Sequence, residues 1–267
     1  MLAMALKFNL KNPKLRRKTF IFLIGTAISL IAFYEVYPLV SEVFPKNESF
    51  KIAVLLFGAI VICGVSYGVM KTVRVFLEKI KFHHQFSSIV FGIFLVLEIL
   101  LASSGKLALF KIPGEQLTKI IITAIVIAFI EEFIFRGVIF NALIALFFKS
   151  KNILFLAGVC SAIIFGIGHG FNLFVQPAST TAIQIIMAAD LGILYAYIHM
   201  VTNNLSWCIV LHAWHDMSLQ LVQPTAPNTI WLFVGIYLII FLIMCWAMFS
   251  YNKKLNMYLR KLDKSLT

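Results

Sequence analysis

The sequence predicts an all-α, polytopic integral membrane protein, a bundle of about eight transmembrane helices with both termini in the cytoplasm. Of its 267 residues, 61% are hydrophobic, well above the roughly 45–50% of soluble domains, and the mean hydropathy is +0.95. Only 13% are charged, about half the soluble norm. A soluble protein of this size would have too few polar residues to cover its surface, so the apolar residues must face lipid.

Eight apolar runs approach the ~20 residues that a helix needs to cross a bilayer. The predicted spans are about 19–40, 52–70, 87–103, 118–147, 153–174, 181–200, 205–222 and 229–250. The fourth run would be roughly 45 Å long at 1.5 Å per residue, longer than the ~30 Å hydrocarbon core, so it must tilt or protrude. We find no internal repeat and treat residues 1–267 as a single membrane domain.

The distribution of lysine and arginine predicts the orientation of these spans. Seventeen basic residues lie in the N-terminal tail, after the second and fourth spans and after the eighth, and the opposite loops hold five. Both termini are therefore expected in the cytoplasm. The same topology accounts for the net charge of +12, so we expect no nucleic-acid partner. The four cysteines stand singly in apolar runs and are expected to be buried hydrophobes.

Three groups of ionisable side chains interrupt the apolar runs. They are Glu131, Glu132 and Arg136 in EEFIFRG, His169 in FGIGHG, and His212, His215 and Asp216 in LHAWHD. A charge at bilayer depth is costly unless it is paired or faces a wet cavity, so such residues indicate a functional site. Three groups of acid, base and imidazole on separate spans predict one polar chamber between helices.

The two acids of the first group, Glu131 and Glu132, differ in their position around the helix relative to Arg136. Glu132 and Arg136 are four residues apart, about 40° around a helix, with the acid N-terminal, the favourable order for an ion pair. Glu131 lies about 140° from Arg136. We therefore expect Glu132 to be tied to Arg136 and Glu131 to be available as a general base near neutrality. The alternative is that all three residues only hold helices together.

The other two groups supply histidines. His212 and Asp216 are four residues apart and His215 lies three after His212, so we expect all three on one helix face, with Asp216 fixing the orientation of the imidazole of His212. Counted from the cytoplasmic ends, His212 lies about 10 Å shallower than Glu131 or His169 at ~1.5 Å per residue. Tilt would have to absorb that difference. The alternative for these residues is a histidine–carboxylate pair that only joins helices.

Some further residues fit a structural role. The glycines of FGIGHG would allow close helix approach. Glu98 and Asp190, deep in the third and sixth spans, are expected to form hydrogen bonds between helices.

These motifs resemble those of the CPBP family of intramembrane proteases, the CAAX protease and bacteriocin-processing or Abi family. EEFIFRG is similar to its EExxxR motif, FGIGH to FxxxH, and the segment from His212 to Asp216 to HxxxN/D. Leu191, Gly192 and Tyr195, followed by Asn204 and Leu205, resemble the LG-xx-Y stretch that leads to an Asn-Leu pair. The resemblance covers a catalytic core of about residues 118–222, and residues 1–103 carry no recognised motif. Asp216 stands where the prenyl-protein enzymes carry Asn.

The resemblance implies hydrolysis of a peptide bond by an activated water. Glu131 would be the base, His169 would hold the water, and His212 would donate to the oxyanion. Glu132 and Arg136 would hold the site together, and Asp216 would complete the last motif. A divalent metal such as zinc could use Glu131, His169 and His212, with His215 or Asp216 as a further ligand, but HExxH is missing, and we expect no obligatory metal or other cofactor.

The implied substrate is a hydrophobic or membrane-associated peptide or protein, such as a CAAX-like tail or the precursor of a peptide pheromone or bacteriocin. Two other functions would use the same residues. A proton- or cation-coupled transporter would place buried acids and histidines on its transport path, although the paired broken spans typical of carriers are not evident. A non-catalytic bacteriocin-immunity or regulatory membrane protein would only bind a peptide. The oligomeric state is left open.

Overall fold

The computed structural model describes residues 74–103, 106–174, 176–219 and 230–264, together with single residues between 13 and 60. Seven α-helices lie in the continuous ranges: α1 Gln85–Ser103, α2 Gly114–Glu132, α3 Phe140–Leu146, α4 Ile153–Gly168, α5 Ala178–Thr202, α6 Ser206–Leu219 and α7 Ile230–Lys264. A π-helical segment, Phe133–Ile139, joins α2 to α3. Short 3-10 helices cover Lys106–Lys111 and His169–Phe174. The predicted all-α class is confirmed.

Four helices of the described chain are long and apolar enough to cross a membrane: Gln85–Ser103, Ile153–Phe174, Ala178–Thr202 and Trp231–Leu262. They correspond to the third, fifth, sixth and eighth predicted spans. The first two predicted spans lie almost wholly outside the described residues. The fourth is present as the α2–π–α3 helix, in which charged residues interrupt the apolar run. The seventh is described from Ser206 to Leu219 as α6.

Segments rich in basic residues that are far apart in sequence lie together at one end of the bundle. Asn252 on α7 donates to the carbonyl of Lys151 (3.0 Å) and accepts from the amide of Leu154 (3.2 Å). The ring of Phe82 packs on those of Tyr251 and Tyr258, with centroids 5.4 and 5.2 Å away. We call residues 74–84, 147–152 and 251–264 the basic end. Its basic residues are Arg74, Lys79, Lys81, Lys149, Lys151, Lys253, Lys254, Arg260, Lys261 and Lys264.

The turn between α5 and α6 is covered by the segment that precedes α1. Asn203 ends α5 in the left-handed region, with φ 54°. Its side-chain oxygen accepts from the amides of Val75 (2.9 Å) and Phe76 (3.0 Å), and its amide donates to the carbonyl of Phe76 (3.1 Å). Asn203 and Leu205 are buried, as are Val75 and Phe76. The turn before α6 is therefore anchored to the segment that precedes α1, although Asn204 and Ser206 are themselves exposed.

Two glycines set the distance between α4 and α5. A Cβ added to Gly166 would come within 2.5 Å of the carbonyl oxygen of Ile185, and one added to Gly192 within 2.8 Å of the Cα of Ala162. Both contacts are with backbone that cannot rotate away. The close approach predicted for the FGIGHG glycines is confirmed at Gly166, whereas its other two glycines leave ordinary space for a Cβ.

Replacing Gly192 with Ala should destabilise the protein because α4 and α5 must separate to admit the methyl group. Overpacking of this kind costs about 1–3 kcal/mol, so we expect a lower melting temperature in detergent. Gly235→Ala is the matched control, since a Cβ there meets nothing within 4 Å and Ala is the better helix former. Equal melting temperatures for the two variants would contradict the close packing at Gly192.

Candidate active site

The imidazole ring of His212 contacts carboxylates from both α2 and α6. Its Nδ1 lies 2.8 Å from Oε1 of Glu132, and its Nε2 lies 3.5 Å from both Oε2 of Glu131 and Oδ1 of Asp216. Because α6 packs directly against α2, the first and third sequence groups meet as predicted. We call the space around Glu131, Glu132, Arg136, His212 and Asp216 the active-site chamber.

Glu132 and Arg136 form a buried ion pair at the closed side of the chamber. Oε1 of Glu132 lies 2.9 Å from Nη1 of Arg136, and the two side chains are 0% and 1% exposed. The guanidinium lies between the rings of Phe165 and Tyr195, 4.5 and 5.5 Å from their centroids, where both ring faces attract a cation. The predicted ion pair is present, and aromatic rings surround its positive partner.

The π-helical segment carries Arg136, and two of its carbonyls accept hydrogen bonds from side chains. Ser161 on α4 donates from Oγ to the carbonyl of Phe135 (2.9 Å), and Asn141 donates from Nδ2 to the carbonyl of Gly137 (2.6 Å). Isolated π turns inside α-helices occur frequently at functional sites. Nothing in the sequence pattern distinguished this segment from regular α-helix.

Glu132 fixes the tautomer of His212. A carboxylate paired with arginine is ionised and can only accept hydrogen bonds, so Nδ1 of His212 carries a hydrogen and donates it. The sequence led us to expect Asp216 in this orienting role, and the structure brings both carboxylates to the ring of His212. Asp216 lies on the helix of His212 and faces its Nε2 at the longer distance of 3.5 Å. The stronger acceptor comes from α2, because α6 packs its imidazole face against that helix.

A proton must reside around Nε2 of His212. In a neutral imidazole with Nδ1–H, Nε2 is an acceptor, and here it faces two carboxyl groups that are also acceptors when ionised. At least one proton on Nε2, Glu131 or Asp216 relieves that repulsion. Glu131 and Asp216 are 15% and 16% exposed, so they face the open side of the chamber. The chamber can thus hold a base and a donor within one hydrogen-bonded group.

His169 reaches the site through a shared aromatic ring. Its Nδ1 donates to the carbonyl of Phe165 (3.1 Å), which leaves Nε2 of the neutral ring as an acceptor. The ring of Phe165 contacts both His169 and His212 edge-on, with centroids 5.0 and 5.8 Å away. Phe165 therefore fixes the two histidines relative to each other.

His215 bonds to a different helix from the one that His212 contacts. Its Nδ1 lies 2.5 Å from Oε1 of Glu98 on α1. The bond between helices expected for Glu98 is thus present. The one expected for Asp190 is not, since neither of its carboxyl oxygens has a hydrogen-bond partner in the part of the chain that the structure describes.

Tyr195 is a wall of the chamber that the charge pattern alone did not indicate. Its ring is fully buried and its centroid is 5.8 Å from that of His212. Its hydroxyl has no hydrogen-bond partner among the residues described. The signal that finds it is the LG-xx-Y stretch, which places Tyr195 one turn after the close-packed Gly192.

The donor set does not fit the zinc site that the sequence allowed. Within the described ranges, no group of three or more His, Cys, Asp or Glu side chains is arranged to hold a metal ion. The optional set of Glu131, His169 and His212 is not assembled as such a group, and Nδ1 of His212 is taken by Glu132.

Comparison with known proteins agrees with this geometry. Residues 113–218 match the family model described as type II CAAX prenyl endopeptidase Rce1-like. The matched segment begins just before α2, ends in the last turn of α6 and contains all three charged motifs. No curated protein and no solved structure is significantly similar to the chain. Residues 113–218 of the chain therefore resemble the Rce1-like CAAX prenyl endopeptidases, and the protein is an integral membrane protein.

Proposed function

We propose that the protein is an intramembrane endopeptidase that hydrolyses a peptide bond with a water activated by Glu131. The observation that carries this proposal is the position of His212, with Nε2 at 3.5 Å from Glu131 and Asp216 and Nδ1 held by Glu132. A base, a hydrogen-bond donor and a buried counter-ion are thereby fixed together inside an apolar bundle. The family match adds support for peptide-bond chemistry.

In the proposed reaction, Glu131 takes a proton from the water as its oxygen bonds to the scissile carbonyl carbon. Nε2–H of His212 donates to the oxyanion that develops, and Nε2 of His169 accepts a hydrogen bond from the attacking water. When the carbon–nitrogen bond breaks, Glu131 returns the proton to the leaving amine. General-base assistance and oxyanion stabilisation each contribute about 100-fold or more in enzymes.

The substrate in this proposal is a membrane-associated peptide or protein. CAAX-like tails and the precursors of peptide pheromones or bacteriocins are the candidates, because their hydrophobic segments can enter between helices. We also propose eight spans with both termini in the cytoplasm, so that the basic end faces the cytoplasm. The clustering of basic loops at one end supports this orientation, and labelling of single cysteines placed in residues 147–152 from either side would test it.

The proposed function is tested by incubating the purified protein with such peptides, with and without a chelator. We expect two product peptides from a single cleavage and the same rate in both samples. Failure of every candidate peptide to yield products would contradict an endopeptidase. Loss of activity with chelator and its recovery with added zinc would contradict the metal-free reaction.

Replacing Asp216 with Asn should retain substantial activity. Glu132 already orients His212, and the Asn side chain keeps an oxygen that can accept from Nε2–H. We therefore expect a rate within about tenfold of the wild-type rate, the lower end of the effect of disturbed outer-shell partners. The measurement is the turnover number, with and without chelator. A dead Asn variant that excess zinc restores would overturn the proposal.

A further inference from the structure

Helix α6 is held on its other side by α1 and the 3-10 turn that follows it. His215 Nδ1 lies 2.5 Å from Oε1 of Glu98. Trp214 donates from Nε1 to Oγ of Ser103 (3.2 Å), and Lys106 donates from Nζ to the carbonyl of Trp214 (2.5 Å). We call these five residues the α1–α6 clamp.

The bond between Glu98 and His215 is largely shielded from solvent and should be stronger than that of a surface pair, whereas Trp214 is 38% exposed and its bond to Ser103 lies at the surface. The side chains of Glu98 and His215 are each 13% exposed, and Lys106 is buried with its ammonium 4.3 Å from the centroid of the Trp214 ring. A hydrogen bond to an ionised group is about twice as strong as a neutral one. Loss of one partner also leaves the other buried without its bond.

The clamp acts on the turn that carries the chamber histidine. Trp214 and His215 lie between His212 and Asp216 on one turn of α6, so a shift at the clamped residues moves both chamber residues. His212 has to keep Nε2 near two carboxyl groups and Nδ1 on Glu132 at once. A misplacement of about 1 Å can cost an enzyme roughly 100-fold in rate.

Three of the five clamp residues lie outside the segment that matches the protease family. Glu98, Ser103 and Lys106 precede residue 113, where the match begins. The family motifs thus account for His212 and Asp216 but not for the residues that hold their helix.

We propose that Glu98 is a positioning residue, which acts through His215 to hold α6 so that His212 and Asp216 face Glu131. Glu98 touches neither water nor substrate in the proposed reaction. Its effect falls on the chemical step because it controls the alignment of His212. The expected effect of Glu98 on kcat rests on the proposed function, whereas its expected effect on the NMR signals of His212 does not.

The kinetic test compares Glu98→Ala, Glu98→Gln and Glu115→Ala on a peptide that the wild type cleaves. Glu98→Ala should lower kcat about tenfold or more, with KM within about twofold. Glu98→Gln keeps an oxygen that can accept from His215 and should restore most of kcat. Glu115→Ala removes an exposed acid that is paired with Lys119 at 2.8 Å and should change neither constant. Unchanged kcat in a folded Glu98→Ala protein would overturn the proposal.

The spectroscopic test records nitrogen NMR signals of the histidine rings. In the wild type the Nδ1 signal of His212 should be that of a protonated nitrogen bound to a carboxylate, and Glu98→Ala should shift it. Ser103→Ala removes the oxygen that accepts from Nε1 of Trp214 and should shift the same His212 signal by a smaller amount. It replaces Glu98→Ala in this test if that variant does not fold. Unchanged His212 signals in these variants would overturn the proposal, even if no cleavable peptide is found.

Discussion

Replacing Glu131 with Gln is expected to lower peptide hydrolysis by about 100-fold or more, the contribution of a general base. Gln has the size of Glu but cannot take a proton from water. Glu131 lies at the open side of the chamber and takes no part in the Glu132–Arg136 ion pair, so the fold should be retained. The measurements are the rate of product formation and the melting temperature of the same preparation.

Glu115→Gln is the matched control for this variant. Glu115 lies on the same helix, α2, but is exposed and pairs with Lys119 at the helix start. It should hydrolyse peptide at the wild-type rate. If the Glu131→Gln protein melts like wild type and still turns over substrate at a comparable rate, Glu131 is not the base.

Removal of either Glu132 or Arg136 is expected to cost about 3–5 kcal/mol of unfolding free energy, the usual loss when a buried charge loses its partner. Both side chains are almost completely buried, so water cannot solvate the charge that remains. Removing both should cost less than the sum of the single losses. The measurement is a double-mutant cycle with Glu132→Gln and Arg136→Met.

The exposed pair of Glu115 and Lys119 provides the control cycle. Its two side chains are 83% and 37% exposed, and surface pairs of this kind contribute about 0.2–1 kcal/mol. The buried pair should show a clearly larger coupling energy. Independent, additive losses at Glu132 and Arg136 would mean that the two side chains do not interact.

The parts of the site that sequence predicts are those fixed by local geometry. Glu132 and Arg136 are four residues apart on one helix, so their contact follows from helix periodicity. The meeting of Glu131 with His212 is a less local prediction. It depends on the rule that charged groups in apolar helices require partners, and the family motifs indicate which groups meet.

Other parts depend on how helices rotate and pack, which a pattern on one helix does not determine. His212 and His215 are three residues apart, yet one faces α2 and the other α1. Which carboxylate holds Nδ1 of His212 is decided by the packing of α6 on α2. The π-helical segment is likewise fixed by a partner on α4, Ser161, rather than by its own residues.

Span prediction was limited for a similar physical reason. Residues 201–204 were expected only to separate the sixth and seventh spans, but Asn203 among them is bonded through its side chain to the backbone of Val75 and Phe76. Hydropathy measures how apolar a run of residues is, but it does not show where in the folded protein that run begins.

Cleavage of a peptide bond by the active-site chamber can be measured directly with proteoliposomes in water enriched in heavy oxygen. Wild-type protein and the Glu131→Gln variant would be given the same peptide, and the peptides on both sides of the membrane would be identified by mass spectrometry. We predict two fragments from the wild type, with one heavy oxygen in the new carboxyl group, and intact peptide from the variant. If intact peptide instead accumulates inside the vesicles with wild-type protein, the protein transports the peptide, which would contradict peptide-bond hydrolysis in the chamber.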